Sequence, residues 1–256
     1  MSHMELWKVG ITSEIRFWSR WFETRGLEWP HDFAARINPQ NPLDELIIEK
    51  LRSLRNDGGT FSILDVGSGP ITNVGYLAPG MKVNVAACDP LADAYAGIRQ
   101  RYGVDVPVQT TFAMAEELSA FFPLDSFDLV NCENALDHTV DPVRGIKEML
   151  KVTKTGGIVL LRHARNEAEN QRHEGLHQWN FNATDEGFVI WDRKAHHVVD
   201  QIIDEPIHVS THGPEPAQVR VEINKTKSTT QRCSERVLSD GVRNAVRDIF
   251  GQGQWG

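Results

Sequence analysis

Glycine and acidic residues between positions 65 and 90 are the groups of this chain whose spacing fits the recognition of a ligand. An apolar run from residue 63 leads into Gly67-Ser68-Gly69, and a second apolar run ends at Asp89. Only glycine gives the backbone angles and the close ligand approach that such a turn needs. A carboxylate at the end of the next strand offers acceptors for two ribose hydroxyls. The spacing therefore predicts a nucleoside-binding β-α-β unit.

Two cofactors compete for this unit. A dinucleotide fingerprint, G-x-G-x-x-G, needs a small residue at its sixth position, where this chain has Thr72. Asp65, just before the first glycine, would end a buried strand, where its carboxylate needs a positive or hydrogen-bonding partner. A ligand with an ammonium group would supply that partner. The residues therefore favour a nucleoside ligand with an ammonium group over a nicotinamide dinucleotide.

The D-x-G-x-G pattern, with an acid closing the next strand, resembles the class I S-adenosylmethionine-dependent methyltransferases. The resemblance implies S-adenosylmethionine as cofactor and S-adenosylhomocysteine as product. The cofactor contacts that it implies are Asp65, Gly67, Ser68, Gly69, Asp89, Pro90, Ala115, Glu116 and Asn131. Ile71 stands where the family more often has a third glycine, which puts the local loop shape in question. Glu116 is equally compatible with a solvated carboxylate at the start of a helix.

Residues 133–138 follow the fourth predicted strand, in the turn that faces the transferred methyl group in the family. By the same resemblance, His138 occupies the place of a catalytic histidine, with Glu133 and Asp137 as the other predicted catalytic residues. A hydroxyl acceptor must be aligned and must lose its proton, and an imidazole with a pKa of about 6.5 is a competent base at neutral pH. His138 is also compatible with a helix-cap or loop residue without a catalytic part.

Polar and aromatic residues at 175–181 fit a hydroxyl-rich acceptor, because Trp can stack on a sugar ring while His, Gln and Asn bind hydroxyls. The predicted acceptor-binding residues are Asn134, His163, His177, Trp179 and Asn180. With the aromatic N-terminal segment, this stretch gives a weak similarity to bacterial sugar and surface-polysaccharide methyltransferases. We assign no metal ligand, although Glu133, Asp137 and Asp141 could bind a divalent ion.

The stretch His173-Glu174-Gly175-Leu176-His177 matches the H-E-x-x-H helix motif of zinc proteases. A glycine inside that helix would cost about 1 kcal/mol relative to alanine. The motif also lies in an insertion of a sheet whose glycine loop already explains the chain. Zinc proteolysis is therefore disfavoured.

Apolar runs alternate with helical stretches from residue 61 onward, which predicts a parallel sheet. The predicted strands are 61–66, 82–88, 105–109, 126–132 and 157–163, and the predicted helices are 91–101, 114–121 and 141–152. Residues 195–203 carry a helical face, and alternation at 207–209 and 219–223 predicts a terminal antiparallel hairpin. We expect an α/β, Rossmann-like, mostly parallel seven-stranded sheet with a terminal antiparallel strand, helices on both faces and an N-terminal helical lid.

The expected core is a single domain, residues 43–225, with an insertion at 164–186. Residues 1–42 form a helical extension that packs on the sheet or covers the substrate mouth as a lid. Residues 226–256 form a polar tail with a helix near 239–249, which we interpret as a surface or dimer-packing appendage.

Composition and charge limit the ligands and the cellular setting that we expect for this chain. The chain of 256 residues has a net charge of −8, which speaks against nucleic-acid binding. Cys88, Cys132 and Cys233 show no C-x-x-C spacing and indicate a reducing, cytoplasmic setting. No apolar stretch approaches the roughly 18 residues of a membrane span.

The prediction is therefore a cytoplasmic S-adenosylmethionine-dependent methyltransferase of a small polar acceptor, with a hydroxyl oxygen of a sugar or another small molecule as the methylated atom. The alternatives are a small-molecule N-methyltransferase and a methyltransferase-like protein that holds the cofactor without turnover. A homodimer is compatible with either.

Overall fold

A computed structural model describes residues 1–55, 58–214, 217–233 and 236–250 of the chain. The α-helices in these ranges are α1 (His3–Glu23), α2 (Pro30–Ile37), α3 (Glu45–Leu54), α4 (Ala92–Arg101), α5 (Pro142–Val152), α6 (Glu167–Asn170) and α7 (Val237–Phe250). The strands are β1 (Thr60–Val66), β2 (Lys82–Asp89), β3 (Thr110–Phe112), β4 (Phe127–Glu133), β5 (Thr153–Ala164), β6 (Asn180–Thr184), β7 (Gly187–Trp191), β8 (His196–Val198), β9 (Ile207–His212) and β10 (Gln218–Asn224). Short 3₁₀ helices lie at Ala115–Ala120, Leu136–His138 and Val199–Gln201.

The central sheet has seven strands in the order β3-β2-β1-β4-β5-β10-β9. Strands β1 to β5 are parallel, and β10 runs antiparallel to both of its neighbours. The predicted α/β, mostly parallel, Rossmann-like sheet and its terminal hairpin are confirmed. Because the carboxyl ends of β1, β2 and β4 meet at one edge, the glycine loop, Asp89 and the segment after Glu133 lie side by side.

Helices cover both faces of this sheet, as predicted. Helix α5 packs on one face, where Ile146 and Met149 share a core with β4 and β5. Helix α3 packs on the other face through Ile47 and Leu51. The predicted start of α5 is confirmed, because Asp141 caps the helix by accepting a hydrogen bond from the backbone N–H of Arg144.

The third strand was predicted at 105–109, which is wrong. Residues 105–109 form a loop, and β3 is a three-residue strand that begins at Thr110. Proline has no N–H to donate to a sheet. Pro107 therefore interrupts the apolar stretch, and pairing with β2 starts only where Thr110 meets Ala87.

Two helix predictions also need correction. The segment 114–121 forms a 3₁₀ helix, Ala115–Ala120, rather than an α-helix. Residues 195–203 form β8 and a 3₁₀ turn, because β7 offers a free edge on which His196–Val198 pair. The predicted apolar face is split there: Val199 is fully buried, whereas Ile202 is 37% exposed. Sheet pairing thus outweighs the helical periodicity.

The chain after β5 builds a second, three-stranded antiparallel sheet, β6-β7-β8. This inserted structure extends past residue 186, where the insertion was expected to end. Phe181 and Phe188 of the small sheet are fully buried in the same core as Val219 of β10. The insertion is therefore joined to the main sheet by packing.

The N-terminal segment and the tail both pack on the domain. Helix α1 places Ile11, Ile15 and Phe22 in an apolar cluster with Tyr95 and Ile98 of α4. Helix α7, in the tail where a helix was predicted, is joined to the 3₁₀ helix 115–120 through a buried glutamate described below.

Within the described residues, no helix is both long enough and apolar enough to cross a membrane. None of the three cysteines, all within the described residues, forms a disulfide, and Cys88 and Cys132 are buried.

Candidate cofactor and acceptor site

A cavity of about 260 Å³ opens at the carboxyl ends of β1, β2 and β4. Eight of the nine predicted cofactor residues line it. They are Asp65, Gly67, Ser68, Gly69, Asp89, Pro90, Ala115 and Glu116. Of the predicted catalytic and acceptor residues, Glu133, Asn134 and His138 also line it.

The glycine loop leaves no room for side chains. Gly67 and Gly69 have φ angles of 69° and 63°, the left-handed region that glycine adopts without strain. A Cβ on Gly67 would lie 2.3 Å from the Cβ of Ala135, and one on Gly69 would lie 3.0 Å from the Trp18 ring. Between these walls the loop presents bare backbone to the cavity.

Asp89 is a buried carboxylate without a cationic partner among its hydrogen bonds. One oxygen accepts from the backbone N–H of Gly69 at 3.0 Å, and the other accepts from that of Leu91 at 2.8 Å. Burial raises the pKa of Asp89 to about 7. Each oxygen has a further lone pair for a hydroxyl donor, which is the arrangement that a ribose would need.

Asp65 is held by neutral groups. Its carboxylate accepts hydrogen bonds from the Thr72 hydroxyl at 2.6 Å and the Asn131 amide at 2.8 Å. Burial raises the pKa of Asp65 to about 6, against the effect of these two bonds. Asn131, the ninth predicted cofactor residue, is fully buried beneath the cavity floor and orients Asp65. Thr72, the residue that does not fit the dinucleotide fingerprint, thus donates a hydrogen bond that holds the Asp65 carboxylate in place.

Glu116 is 1% exposed, so its interpretation as a solvated carboxylate is wrong. Its side chain accepts from the backbone N–H groups of Val140 and Asp141 at 2.7 and 3.2 Å. Burial raises its pKa, opposed by these bonds. Glu116 therefore joins the adenine side of the predicted site to the segment that carries His138.

Residues 64–161, from within β1 to within β5, are similar to the family described as methyltransferase domain. The match covers 98 of the 256 residues. The matched stretch contains the glycine loop, Asp89, Glu116 and His138.

Three similar proteins are themselves described as methyltransferases. An uncharacterized methyltransferase of Schizosaccharomyces pombe, C1B3.06c, is 34% identical over 112 residues, or 41% of this chain and 40% of that protein. The chain thus spans about two fifths of that relative. A solved methyltransferase of Thermotoga maritima, described as a possible histamine N-methyltransferase, is 16% identical, with a TM-score of 0.47 over 87% of this chain and 99% of that one. One from Aquifex aeolicus is 13% identical, with a TM-score of 0.44 over 74% and 90%.

The family implies S-adenosylmethionine as cofactor, and the residues of this methyltransferase domain fit that molecule. The side-chain-free loop at Gly67 and Gly69 gives the close approach that the methionine moiety needs. Asp89 would hold the ribose, with Pro90 and Ala115 bordering the adenine. Arg36 also lines the cavity, where its guanidinium donates to the Asp32 carboxylate and to Ile71 O.

Three polar side chains meet beside the cavity, at the end where we predict the acceptor, and of the three only His138 lines the cavity. Asp137 Oδ2 lies 2.6 Å from His177 Nδ1 and 3.4 Å from His138 Nε2, and the two imidazole nitrogens lie 3.2 Å apart. Burial opposes ionisation of Asp137, but the charges of His138 and His177 outweigh burial and lower its pKa. Burial also opposes protonation of His177, but its hydrogen bond to Asp137 raises its pKa.

His177 comes to this cluster from the H-E-x-x-H stretch, which is not a helix. His173 and Gly175 have φ angles of 57° and 62°, so the two histidines of the motif do not share a helical face. The backbone N–H of Gln178 donates to Asp137 O at 3.0 Å, and the Trp179 indole donates to Thr139 O at 2.9 Å. These bonds fix His177 beside Asp137.

Three predicted acceptor residues lie behind the cavity wall rather than in it. His163, Trp179 and Asn180 are at most 3% exposed and are absent from the lining. His163 stacks on Phe181, and burial lowers its pKa to about 4. Asn180 accepts from the backbone N–H of Glu169 at 2.9 Å. Their burial gives them a role in shaping the wall.

Several lining residues were missed by the sequence interpretation. Trp7, Glu14 and Trp18 of α1 and Arg36 of α2 reach the cavity from outside residues 64–161. The Trp18 indole donates to Glu14 at 2.7 Å. The aromatic richness of this segment was the one signal available, and it did not single out these positions.

Glu133 is part of a buried charge network. Arg162 is 6% exposed and lies 3.0 Å from the Glu133 carboxylate and 2.9 Å from that of Asp44. It also donates to the side-chain amide oxygen of Asn131 at 3.3 Å. The Asn73 amide donates to Glu133 at 3.0 Å. A carboxylate held by an arginine and an amide is fixed in place, which suits Glu133 to positioning a ligand.

Proposed function

We propose that this chain is an S-adenosylmethionine-dependent methyltransferase that transfers a methyl group to a hydroxyl of a small polar acceptor, such as a sugar. The observation that carries the proposal is the position of His138. Its imidazole lines the same cavity as the glycine loop and Asp89, with Asp137 and His177 against it. Alignment and proton removal are the two requirements of methyl transfer to a hydroxyl, and one cavity offers both.

Bound S-adenosylmethionine supplies an electrophilic methyl group on a sulfonium centre. In the proposed mechanism, the loop at Gly67 and Gly69 and the Asp89 carboxylate orient the cofactor. Asn134 and Glu133 border the acceptor, and His138 accepts the hydroxyl proton. Asp137 stabilises the imidazolium that forms.

We also propose that α1 acts as a lid. Trp18 packs 3.0 Å from where a Cβ of Gly69 would lie, and Trp7 and Glu14 line the same cavity. A ligand that enters at the glycine loop has to pass these side chains. Movement of α1 would therefore accompany cofactor exchange.

The first test is a calorimetric titration of the protein with S-adenosylmethionine and, separately, with NAD. We expect saturable binding of S-adenosylmethionine alone. A mass-spectrometric screen of sugars, glycans, phenols and amines would then identify the acceptor by its gain of a methyl group. Methylation of amines alone would refute the oxygen acceptor, and cofactor binding without any turnover would favour the non-catalytic alternative.

A further inference from the structure

We infer that Asp137, His138 and His177 form a binding site for one divalent transition-metal ion, of the Zn²⁺ type. The inference rests on the proposed function in one respect, namely that the acceptor oxygen would complete the coordination. Two imidazole nitrogens and one carboxylate oxygen are ligands that Zn²⁺ and neighbouring first-row ions prefer, whereas Mg²⁺ and Ca²⁺ prefer oxygen.

The distances among the three donor atoms suit a common ion. Metal bonds of about 2.0–2.2 Å to the ligands of a tetrahedral zinc site place those ligands about 3.3–3.5 Å apart. His138 Nε2 lies 3.2 Å from His177 Nδ1 and 3.4 Å from Asp137 Oδ2. The third distance, 2.6 Å between His177 Nδ1 and Asp137 Oδ2, has to open by a small side-chain rotation.

Hydrogen bonding alone leaves this triangle poorly satisfied. At 2.6 Å, a proton lies between His177 Nδ1 and Asp137 Oδ2, so Nδ1 keeps no lone pair for His138. The Nδ1–H of His177 can then serve His138 Nε2, 3.2 Å away, only by sharing the proton that it donates to Asp137. If an ion replaces that proton, each of the three atoms has a lone pair to offer it.

The backbone holds the donors together before any ion binds. His138 and Asp137 belong to the 3₁₀ helix Leu136–His138, and His177 comes from the insertion. The hydrogen bonds from Gln178 to Asp137 and from Trp179 to Thr139 connect the two segments on either side of the cluster. Ligands fixed in this way lose little freedom on binding.

The site would be open on the cavity side. The side chains of His138 and His177 are 20% and 27% exposed, whereas that of Asp137 is 3% exposed. His138 also lines the cavity. Three protein ligands and an open fourth position are the pattern of catalytic zinc sites. The ion would bind the acceptor oxygen and favour loss of its proton, in place of direct proton transfer to His138.

The test is a calorimetric titration of the full, tag-free, chelator-treated protein with Zn²⁺. We expect one ion per chain in the unmodified protein and in the control His208→Ala, an exposed histidine of β9. We expect His138→Ala and His177→Ala to bind Zn²⁺ at least about 100-fold more weakly. Loss of a residue that only orients a metal ligand already costs up to about 100-fold in metal affinity, and loss of the ligand itself should cost no less. Equal binding by all four proteins would overturn the inference.

A second readout guards against misfolded variants. Co²⁺ should give the visible absorption of a tetrahedral site in the unmodified protein and in His208→Ala, and not in His138→Gln or His177→Gln, which retain side-chain bulk. Thermal melting without metal shows whether each variant is folded. Unchanged Co²⁺ spectra in folded glutamine variants would also contradict the site.

Failure of this inference and failure of the proposed function give different results. If chelated protein methylates a hydroxyl at the full rate and binds no Zn²⁺, the metal site is wrong and His138 acts alone. If Zn²⁺ binds as expected but no hydroxyl acceptor is methylated in its presence, the metal site holds and the proposed function is wrong.

Discussion

The cofactor end and the acceptor end of the cavity are built from different amounts of chain. At the cofactor end, the glycine loop and Asp89 come from one continuous stretch, residues 65–89, in which a loop joins β1 to β2 without the helix that a β-α-β unit would have. At the predicted acceptor end, Asp137 and His138 meet His177 from the insertion, 40 and 39 residues away in the chain. A site built from one continuous stretch can be recognised as a motif in the sequence. A site assembled from separate segments has its residues scattered along the chain, where no motif connects them.

The acidic residues of the two ends also differ in electrostatics. Burial raises the pKa values of Asp65 and Asp89 to about 6 and about 7, because neither has a strong cationic partner. Asp137 is as buried, but the two imidazoles lower its pKa. The buried carboxylates of the cofactor end therefore have hydrogen-bonding capacity left for a ligand. At the acceptor end, the imidazoles of His138 and His177 already stabilise the Asp137 carboxylate.

Of the substitutions considered, replacement of His138 should produce the largest difference between its effect on methyl transfer and its effect on cofactor binding. We expect His138→Ala to slow methyl transfer by about 10² to 10⁴-fold, the range for loss of a general base. Its affinity for S-adenosylmethionine should stay unchanged, since the cofactor end is intact. Single-turnover kinetics and calorimetry measure the two quantities, with His208→Ala as control. An unchanged rate would remove His138 from the mechanism.

A methyl group in the glycine loop should damage the cofactor end alone. Gly67→Ala places a Cβ 2.3 Å from Ala135, and we expect S-adenosylmethionine to bind about 100-fold more weakly, the upper end of the effect of overpacking. The matched control is Gly80→Ala, which has a similar φ of 76° and open space around it. If both variants lose affinity equally, backbone strain rather than the shape of the loop is responsible.

Asp89→Asn should weaken cofactor binding by about 30-fold, because hydrogen bonds to a charged group contribute about 1.5–3 kcal/mol. Calorimetry with the exposed Asp185→Asn as control measures this loss. Wild-type affinity in Asp89→Asn would exclude the ribose contact.

The same variant tests the raised pKa. Unfolded, Asp89 would ionise near the ordinary value of 3.8, but in the folded protein its pKa is about 7. Between these values the folded protein holds a proton that the unfolded chain releases, so the free energy of unfolding should fall as pH rises from 4 to 7. Cofactor-free Asp89→Asn should show a shallower fall, and Asp65 and Glu116, whose pKa values burial also raises, contribute to the remainder. An unchanged slope in thermal melts from pH 4 to 7 would contradict the raised pKa of Asp89.

Trp18→Ala should have the smallest effect of these substitutions on ligand binding. Loss of the ring beside Gly69 should weaken S-adenosylmethionine binding by about 5-fold, corresponding to about 1 kcal/mol of aromatic contact. Val9→Ala, on the exposed part of α1, is the control. Faster cofactor dissociation in stopped-flow measurements would support the lid, and an unchanged dissociation rate would argue against it.

Helix α7 shows how far the sequence could predict packing. A helix was predicted near 239–249 and α7 spans Val237–Phe250, but the way it docks was not predicted. Glu117, fully buried, accepts hydrogen bonds from the backbone N–H groups of Leu238 and Ser239 and from the Ser239 hydroxyl. A glutamate in a predicted helix reads as a solvated residue, and only the tertiary structure reveals a helix N-terminus opposite it.

The sequence by itself determined the class of sheet and the cofactor end. Alternating apolar runs produce parallel strands, and D-x-G-x-G with Asp89 lies within one continuous stretch, β1–loop–β2, whose geometry is local. The helix of the predicted β-α-β unit is absent between these two strands. Tertiary structure decided the rest. It paired residues 196–198 with β7 against their helical periodicity, set His163 and Asn180 behind the wall, and brought His177 to Asp137. These outcomes depend on contacts between segments far apart in the chain, and such contacts leave no periodic pattern in either segment alone.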